Sequence, residues 1–249
     1  MFSFVHIRDP RNTGDMAACP ANYFDFGQHE VLDYSDRPAG SVVVYGGGAM
    51  VNWLHGRAGL PDVPKVIWGA GSSRHGETEP WTDPEGVDIM GVRDWSPERE
   101  AAGLYAPCSS CMSPLLDDPP PPTREAVLFL NANPSIRSRY PVGVSGLPTM
   151  MNDQPMAAIV EFLASAETIV TDSYHGCFWA ILLGRRVVAV PYSSKFYGFR
   201  HPPAMSVRRG GDWERLARGA TVYQGALREC RAATLVFHER VVNVIRDNA

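Results

Sequence analysis

Residues 171–176, with the sequence TDSYHG, carry the residue types that most clearly suggest chemistry. They follow an apolar run and precede a helical pattern, so their backbone N–H groups and the helix dipole favour a bound anion. The Ser173 hydroxyl adds a donor, and Gly176 lets a ligand approach the backbone closely. His175 would project into the same space, where an imidazole can move a proton near neutral pH. The alternative is that His175 only caps the helix or bonds a core carbonyl.

A second polar turn lies at residues 12–15 (NTGD), after an apolar run and before a predicted helix. Asp15 can orient a hydroxyl group of a ligand there, and Asn12 can bind that group. The alternative is that Asp15 caps its own helix.

Two glycine-rich turns also follow apolar runs, at residues 46–48 (GGG, centred on Gly47) and at residues 69–73 (GAGSS, including Ser72). Such turns can admit a ligand close to the backbone. Tight-turn geometry alone would equally account for the glycines.

Cys108 and Cys111 form a C-x-x-C pair. A zinc site needs two further ligands at suitable spacing, and the remaining three cysteines form no second pair. No thioredoxin-like unit is evident around the motif. We therefore expect a loop pair near the cleft or the linker, and neither a metal site nor a redox site.

These turns need a scaffold that brings them together. Short apolar, β-rich runs end in glycine or polar residues at 4–7, 41–45, 65–68, 88–92, 126–130, 168–170 and 187–190. Near-continuous apolar strands separated by helices predict parallel sheets that are covered on both faces. The clearest βαβ unit spans residues 168–190, with Gly184 at the end of its helix.

A proline run at residues 117–122 (DDPPPP) is stiff and extended, which is typical of a linker. It predicts domains at 1–118 and 123–249, the second with C-terminal helices over 212–247 and a break near 221–225. A surface loop within one domain is the alternative. The predicted fold is α/β, with two Rossmann-like domains around a cleft at the carboxyl ends of the strands.

Composition narrows the function classes. The 249 residues are 45% hydrophobic and 20% charged, with a net charge of −4, so nothing favours nucleic acid as a partner. No apolar run approaches the roughly 18–20 residues of a membrane span. Residues 1–10 suggest a first strand and not a signal peptide. Five scattered cysteines suit a reducing compartment, so a cytoplasmic location is expected.

Residues 171–176 and the positions that follow them resemble the C-terminal signature of the polysaccharide pyruvyltransferase family; those positions are Ala180, Gly184, Pro191, Tyr192 and Lys195. The resemblance extends to residues 12–15, 46–48, 69–71 and 91–96, and so covers about residues 4–200. Residues 107–114 (PCSSCMSP) resemble the exopolysaccharide branch. The resemblance implies a fold similar to the GT-B glycosyltransferases, with residues 1–118 on the acceptor side and 123–249 on the donor side.

The family resemblance also implies an activity. A carboxyethylidene group passes from phosphoenolpyruvate to two hydroxyls of one sugar, without a cofactor, on an exopolysaccharide or cell-surface glycan precursor. The resemblance implies that Arg93 and His175 handle the donor. From the residues themselves we predict catalytic roles for His175, Arg93 and Asp15, donor contacts from Ser173, Gly176, Lys195 and Ser72, and acceptor contacts from Asn12 and Gly47. We expect His175 to be the acid–base group and Arg93 the main anion clamp.

One position departs from the family pattern. Many members carry arginine two residues before the histidine, whereas Ser173 stands here. The donor's charge must then be met by Arg93, Lys195, Arg137 or Arg139, although Lys195 can also be read as a solvated surface lysine. A lipid-linked oligosaccharide acceptor would place the protein peripherally at the inner face of a membrane.

Two other functions stay open. The first is a nucleotide-sugar glycosyltransferase of similar fold, which the lack of an acidic ribose-binding position after the C-terminal strands disfavours. The second is a non-catalytic sugar-binding scaffold, which Ser173 in place of arginine keeps under consideration.

Overall fold

A computed structural model describes residues 1–54, 61–79 and 86–247. The first sheet is fully parallel, with strand order β2-β1-β3-β4-β5. Its strands are β1 (Phe2–His6), β2 (His29–Asp33), β3 (Val42–Gly46), β4 (Lys65–Ala70) and β5 (Ile89–Val92). The helices of this half are α1 (Thr13–Ala17), α2 (Met50–Leu54) and α3 (Pro97–Ala101).

The second sheet is also fully parallel and has strand order β10-β9-β8-β6-β7. Its strands are β6 (Arg124–Leu130), β7 (Thr149–Met151), β8 (Ala166–Thr171), β9 (Arg186–Ala189) and β10 (Ala204–Met205). The accompanying helices are α4 (Pro134–Arg139), α5 (Met156–Ala164), α6 (Tyr174–Leu182), α7 (Trp213–Gly219) and α8 (Ala226–Asp247). The structure confirms the predicted α/β class with two parallel five-stranded sheets, which is consistent with the predicted two-domain Rossmann-like architecture.

The unit β8-α6-β9 shows why the local sequence folds this way. Ser173 caps α6 by accepting a hydrogen bond from the Gly176 N–H. Gly184 follows the helix with φ +67°, a conformation that glycine adopts without a steric penalty. All nine residues of α6 are buried, so this helix lies in the interior of the molecule and not on its surface.

The last helix connects the two halves. Near its start, Ala226 and Cys230 lie in the core beside the second sheet. Further along, Phe237 and Val241 pack into the core of the first sheet. The sequence grouped α8 with residues 123–249, whereas its second half covers the first sheet.

Within the described residues, no helix combines the length and the apolar character that crossing a bilayer requires.

Candidate functional site

A cavity of about 610 Å³ lies where the carboxyl ends of the two sheets face each other. The segments that follow strands of both sheets line it, as expected for parallel α/β sheets. The cavity brings together six of the residues predicted for the site: Asn12, Asp15, Arg93, Ser173, His175 and Lys195.

Direct contacts between the two halves hold this cavity in place. On one side, the Thr13 N–H donates to the Asn152 carbonyl over 2.9 Å. On the other side, the Ser73 hydroxyl donates to the Ser193 hydroxyl over 3.0 Å, and residue 75 pairs with Ser193 as an antiparallel bridge. The walls of the cavity are thus fixed by hydrogen bonds that cross between the domains.

Arg93 follows β5 and is only 4% exposed, although it lines the cavity. Its guanidinium carbon lies 3.7 Å from the centre of the Tyr174 ring, a cation–π contact. Among the described residues, its Nε and Nη1 have no hydrogen-bond partner. An unsatisfied buried donor costs about 1–3 kcal/mol, and more when it is charged. Such a guanidinium is suited to bind an anionic ligand in the cavity.

Gly71 makes room for that guanidinium. A Cβ atom at Gly71 would lie 2.6 Å from Arg93 Nε. The absence of a side chain at Gly71 therefore leaves space for the Arg93 side chain. From the sequence, this turn was expected to let a ligand approach the backbone.

Asp15 lies in the first turn of α1, and Asn12 occupies the N-cap position, so Asp15 is not the cap. The Asn12 amide donates to Asp15 Oδ2 over 2.6 Å, and the Asn152 amide donates to Asn12 Oδ1 over 2.9 Å. Burial raises the pKa of Asp15 to about 6, against the opposing effect of the Arg93 and Lys195 charges. Asp15 can therefore hold or release a proton near neutral pH.

His175 lies in the first turn of α6 with only 4% of its surface exposed. Its Nε2 is 3.5 Å from Cys108 Sγ, and its ring centre is 5.3 Å from that of Trp179. On the other side the ring meets Gly14, where a Cβ atom would lie 2.0 Å from Nδ1.

This environment determines the charge of His175. Burial, together with the nearby Arg93 and Lys195 charges, holds the pKa of His175 well below its usual range. The imidazole is therefore neutral at physiological pH, which disfavours the predicted role as a proton carrier near neutral pH.

Ser173 lines the cavity at the N-terminus of α6, while its oxygen caps that helix. Gly176 does not line the cavity. A Cβ atom at Gly176 would lie 2.4 Å from the Phe129 ring and 2.6 Å from Thr171 Oγ1. Close packing of α6 on the sheet accounts for this glycine, while its predicted donor contact stays a prediction.

Lys195 is half-buried in a short 3₁₀ helix after β9 and lines the cavity. Its ammonium donates to the Tyr192 hydroxyl over 2.5 Å and lies 4.4 Å from the ring centre. Of the cations suggested to replace the family arginine, Arg137 and Arg139 are exposed and do not line the cavity. Arg93 and Lys195 thus supply the positive charge of the cavity wall, and Arg11 lies at the exposed edge of the cavity.

Ser72 and Gly47 lie outside the cavity. Ser72 is buried, its N–H donates to Asp94 Oδ2 over 2.6 Å, and its hydroxyl is 3.4 Å from the Ser194 hydroxyl. Gly47 has φ +73° and lies against Ala18, where a Cβ atom would be 2.2 Å from the alanine methyl. Ser72 thus takes part in the contact between the two halves and Gly47 in a tight turn, while their predicted ligand contacts stay predictions.

Sequence reasoning missed a cluster of amides on the cavity wall: Asn131, Asn133 and Asn152. Asn131 donates through its side chain to the Tyr192 hydroxyl over 3.3 Å. Asn152 accepts from the Ala132 N–H over 2.8 Å. The available signal was the run NANP directly after the apolar strand 126–130, since asparagine at a strand end commonly organises a turn.

Cys108 and Cys111 are fully buried thiols in and before a short 3₁₀ helix (Ser109–Met112). Cys111 Sγ lies 3.3 Å from Thr234 Oγ1, whereas Cys108 faces His175. Within the described residues, no three or more potential ligands lie together as a metal site would need.

Comparisons with protein-family models, with curated proteins and with solved structures found no match to this chain.

Proposed function

We propose that this protein transfers pyruvate from phosphoenolpyruvate to two hydroxyls of one sugar and forms a pyruvate ketal. One observation carries the proposal. The Arg93 guanidinium is buried in the wall of the cavity, and its Nε and Nη1 lack partners among the described residues. Phosphoenolpyruvate presents a carboxylate and a phosphate, which are the groups that a guanidinium binds best.

A second positively charged group on the cavity supports the binding of an anion that has two charged ends. Lys195 lies on the same cavity, and it makes no ion pair with a carboxylate among the described residues. The N-terminus of α6, at Ser173, adds the positive end of a helix dipole. Arg93 and Lys195 together would then compensate for the arginine that Ser173 replaces.

Asp15 is the group best suited to move protons in this reaction. In its protonated form it gives a proton to the methylene carbon of phosphoenolpyruvate, and C2 becomes oxocarbenium-like. The resulting carboxylate takes the proton of the first sugar hydroxyl as that oxygen bonds to C2. An acid–base group of this kind contributes about 10²- to 10⁴-fold to the rate.

The second hydroxyl closes the ring. Its oxygen attacks C2 while the bond from C2 to the phosphate oxygen breaks, and the electron pair leaves with phosphate. The phosphate takes the proton of this hydroxyl, so phosphoenolpyruvate and a diol yield a ketal and inorganic phosphate.

The remaining polar groups suit a sugar. Asn12 and Asn152, which are hydrogen-bonded to each other, lie on the cavity wall, and Asp9 and Asp153 lie on the same wall. A volume of about 610 Å³ lies within the roughly 300–1,000 Å³ of small-molecule sites, and a donor and one sugar ring can share it. In this proposal the fold is used as in GT-B glycosyltransferases, residues 1–118 face the acceptor, and the protein works in the cytoplasm on a free or lipid-linked precursor.

Calorimetric titration with phosphoenolpyruvate tests the proposal. We expect saturable binding by the wild type, loss of binding in Arg93→Ala, and unchanged binding in the control Arg186→Ala. Arg186 is a suitable control because it pairs with Glu167 at the opposite end of the second sheet. Phosphate release should then require both phosphoenolpyruvate and a sugar with a suitable hydroxyl pair.

Two results would refute the proposal. Binding of a uridine or guanosine diphosphate without any binding of phosphoenolpyruvate would favour the nucleotide-sugar glycosyltransferase. A sugar ligand bound with neither donor recognised would favour the non-catalytic scaffold.

A further inference from the structure

A row of four buried side chains runs from the interior of the second domain to His175. The Trp179 Nε1–H donates to Ser110 Oγ over 3.0 Å. Ser110 Oγ lies 3.2 Å from Cys108 Sγ, and that sulfur lies 3.5 Å from His175 Nε2. Trp179, Ser110 and Cys108 are fully buried, so bulk water does not compete for these contacts.

The direction of the hydrogen bonds follows from the first member. An indole N–H can only donate, so Ser110 Oγ is an acceptor toward Trp179. The Ser110 hydroxyl proton then needs an acceptor, and Cys108 Sγ is the one found for it in the described part of the chain. With the sulfur accepting from Ser110, the Cys108 S–H is free to donate to His175 Nε2. The opposite direction would leave the buried Ser110 hydroxyl proton without an acceptor, which is costly.

We infer that Cys108 is a positioning residue that holds His175 as the neutral Nδ1–H tautomer, so that the imidazole serves the cavity as a hydrogen-bond donor. In a neutral imidazole one nitrogen accepts and the other carries the hydrogen, and the partner of one nitrogen decides the state of the other. The tautomer assignment rests on the hydrogen bonds among Trp179, Ser110, Cys108 and His175. Its use toward phosphoenolpyruvate rests on the proposed function.

The ring orientation agrees with this assignment. The Nδ1 edge lies against Gly14, which has no side chain and stands between the cavity-lining residues Asn12 and Asp15. Nδ1–H therefore lies on the side of the ring that faces α1, while Nε2 faces the protein interior through Cys108. Because His175 also lines the cavity, a carboxylate or phosphate oxygen of the donor is the ligand group that this N–H would bind.

Burial disfavours a thiolate–imidazolium pair. Burial raises the pKa of Cys108 and lowers the pKa of His175, so the uncharged thiol and the uncharged ring coexist. Cys108 is accordingly not a nucleophile, and the pair differs from the activated cysteine of a thiol enzyme.

Nitrogen NMR of the ¹⁵N-histidine-labelled chain reads the tautomer directly. The His175 signals are assigned by their disappearance in His175→Gln. In the wild type at pH 7 we expect a protonated Nδ1 and an unprotonated Nε2. Cys108→Ala should populate the Nε2–H form, because Nε2 has then lost its donor. Cys108→Ser should keep the wild-type tautomer, since a hydroxyl can donate in place of the thiol.

Cys111→Ala is the matched control, since this neighbouring buried thiol contacts Thr234 and not His175. Its spectrum should keep the wild-type tautomer. Under the proposed function, pyruvyl transfer should fall about tenfold in Cys108→Ala, because a misoriented functional group slows the reaction. Cys108→Ser should recover most of that loss.

An Nε2–H tautomer in the wild type, an imidazolium at pH 7, or an unchanged tautomer in Cys108→Ala would overturn the inference. The wild-type spectrum decides the question even if Cys108→Ala does not fold. If the tautomer is as stated and phosphoenolpyruvate neither binds nor shifts the Nδ1 signal, the proposed function fails while the role of Cys108 stands.

Discussion

The contact between Gly14 and His175 makes a sharp prediction for Gly14→Ala. The new Cβ atom would lie 2.0 Å from Nδ1, 2.4 Å from Cγ and 2.8 Å from Cβ of the histidine. Ordinary contact distances are about 3.5 Å, so the overlap with the ring approaches about 1.5 Å. Neither side can yield easily, because α6 is buried throughout and α1 is tied by Thr13 to Asn152.

The expected magnitude is the difference between two effects. Overpacking in a rigid core costs about 1–3 kcal/mol, and this overlap belongs at the upper end. Alanine in place of glycine inside a helix raises the free energy of unfolding by about 1 kcal/mol. The free energy of unfolding of Gly14→Ala should therefore fall by about 2 kcal/mol, which for a chain of this size lowers Tm by about 4–8 °C.

Gly219→Ala is the matched control, since Gly219 also lies in a helix and a Cβ atom there meets nothing within 4 Å. This variant should be as stable as the wild type or slightly more stable. Urea unfolding and phosphoenolpyruvate titration of both variants provide the assay. If Gly14→Ala matched Gly219→Ala in stability and ligand binding, our placement of His175 against α1 would be refuted.

Three further variants test other parts of the structure. Asp15→Asn should reduce pyruvyl transfer about 10²- to 10⁴-fold. Because burial raises the pKa of Asp15 from 3.8 to about 6, the wild type loses stability as pH rises from about 4 to about 6, and Asp15→Asn should lack this loss. Lys195→Met should weaken phosphoenolpyruvate binding about tenfold, the equivalent of about 1.4 kcal/mol. Phe237→Ala should lower the free energy of unfolding by about 3–5 kcal/mol, since its ring is buried against Trp68.

Controls make these outcomes decisive. An identical pH dependence of unfolding in Asp15→Asn and wild type would refute the raised pKa of Asp15. Equal losses of binding in Lys195→Met and in the exposed, distant Arg228→Met would mean that Lys195 acts only through net charge. The exposed Val236→Ala should change stability by less than about 0.5 kcal/mol. If Phe237→Ala behaved in the same way, α8 would not be seated on the first sheet.

The architecture was largely predictable where strands are buried. β3 and β6 are apolar over most of their length and β8 has the apolar pair Ile169–Val170, so these strands stood out in the sequence, as did the turn and helix after β8. Strands β2, β7 and β10 did not, because they are partly exposed and short or polar, so the apolar signal is weak.

The site was predictable in its location more than in its chemistry. Polar residues directly after strands converge in parallel sheets, so Asn12, Asp15, Ser173 and His175 could be placed together from the sequence. Their protonation could not, because the pKa of each group depends on burial and on partners far along the chain, as Cys108 is for His175.

Glycines were the least informative residues. Gly47 and Gly176 match turns that bind ligands, yet both are required by close packing against other parts of the chain. A sequence shows that a side chain is absent, and only the three-dimensional neighbours show whether a ligand, a helix or an imidazole fills the space.

The path of α8 has a consequence for synthesis on the ribosome. The last strand of the first sheet ends at residue 92. The helix residues that cover its Phe4 and Trp68 face, Phe237 and Val241, are synthesised almost 150 residues later. During translation that apolar face lacks its helix, which favours chaperone capture or association between nascent chains. The native packing of this sheet is therefore expected to form late, and contacts of such long sequence separation should make folding slow.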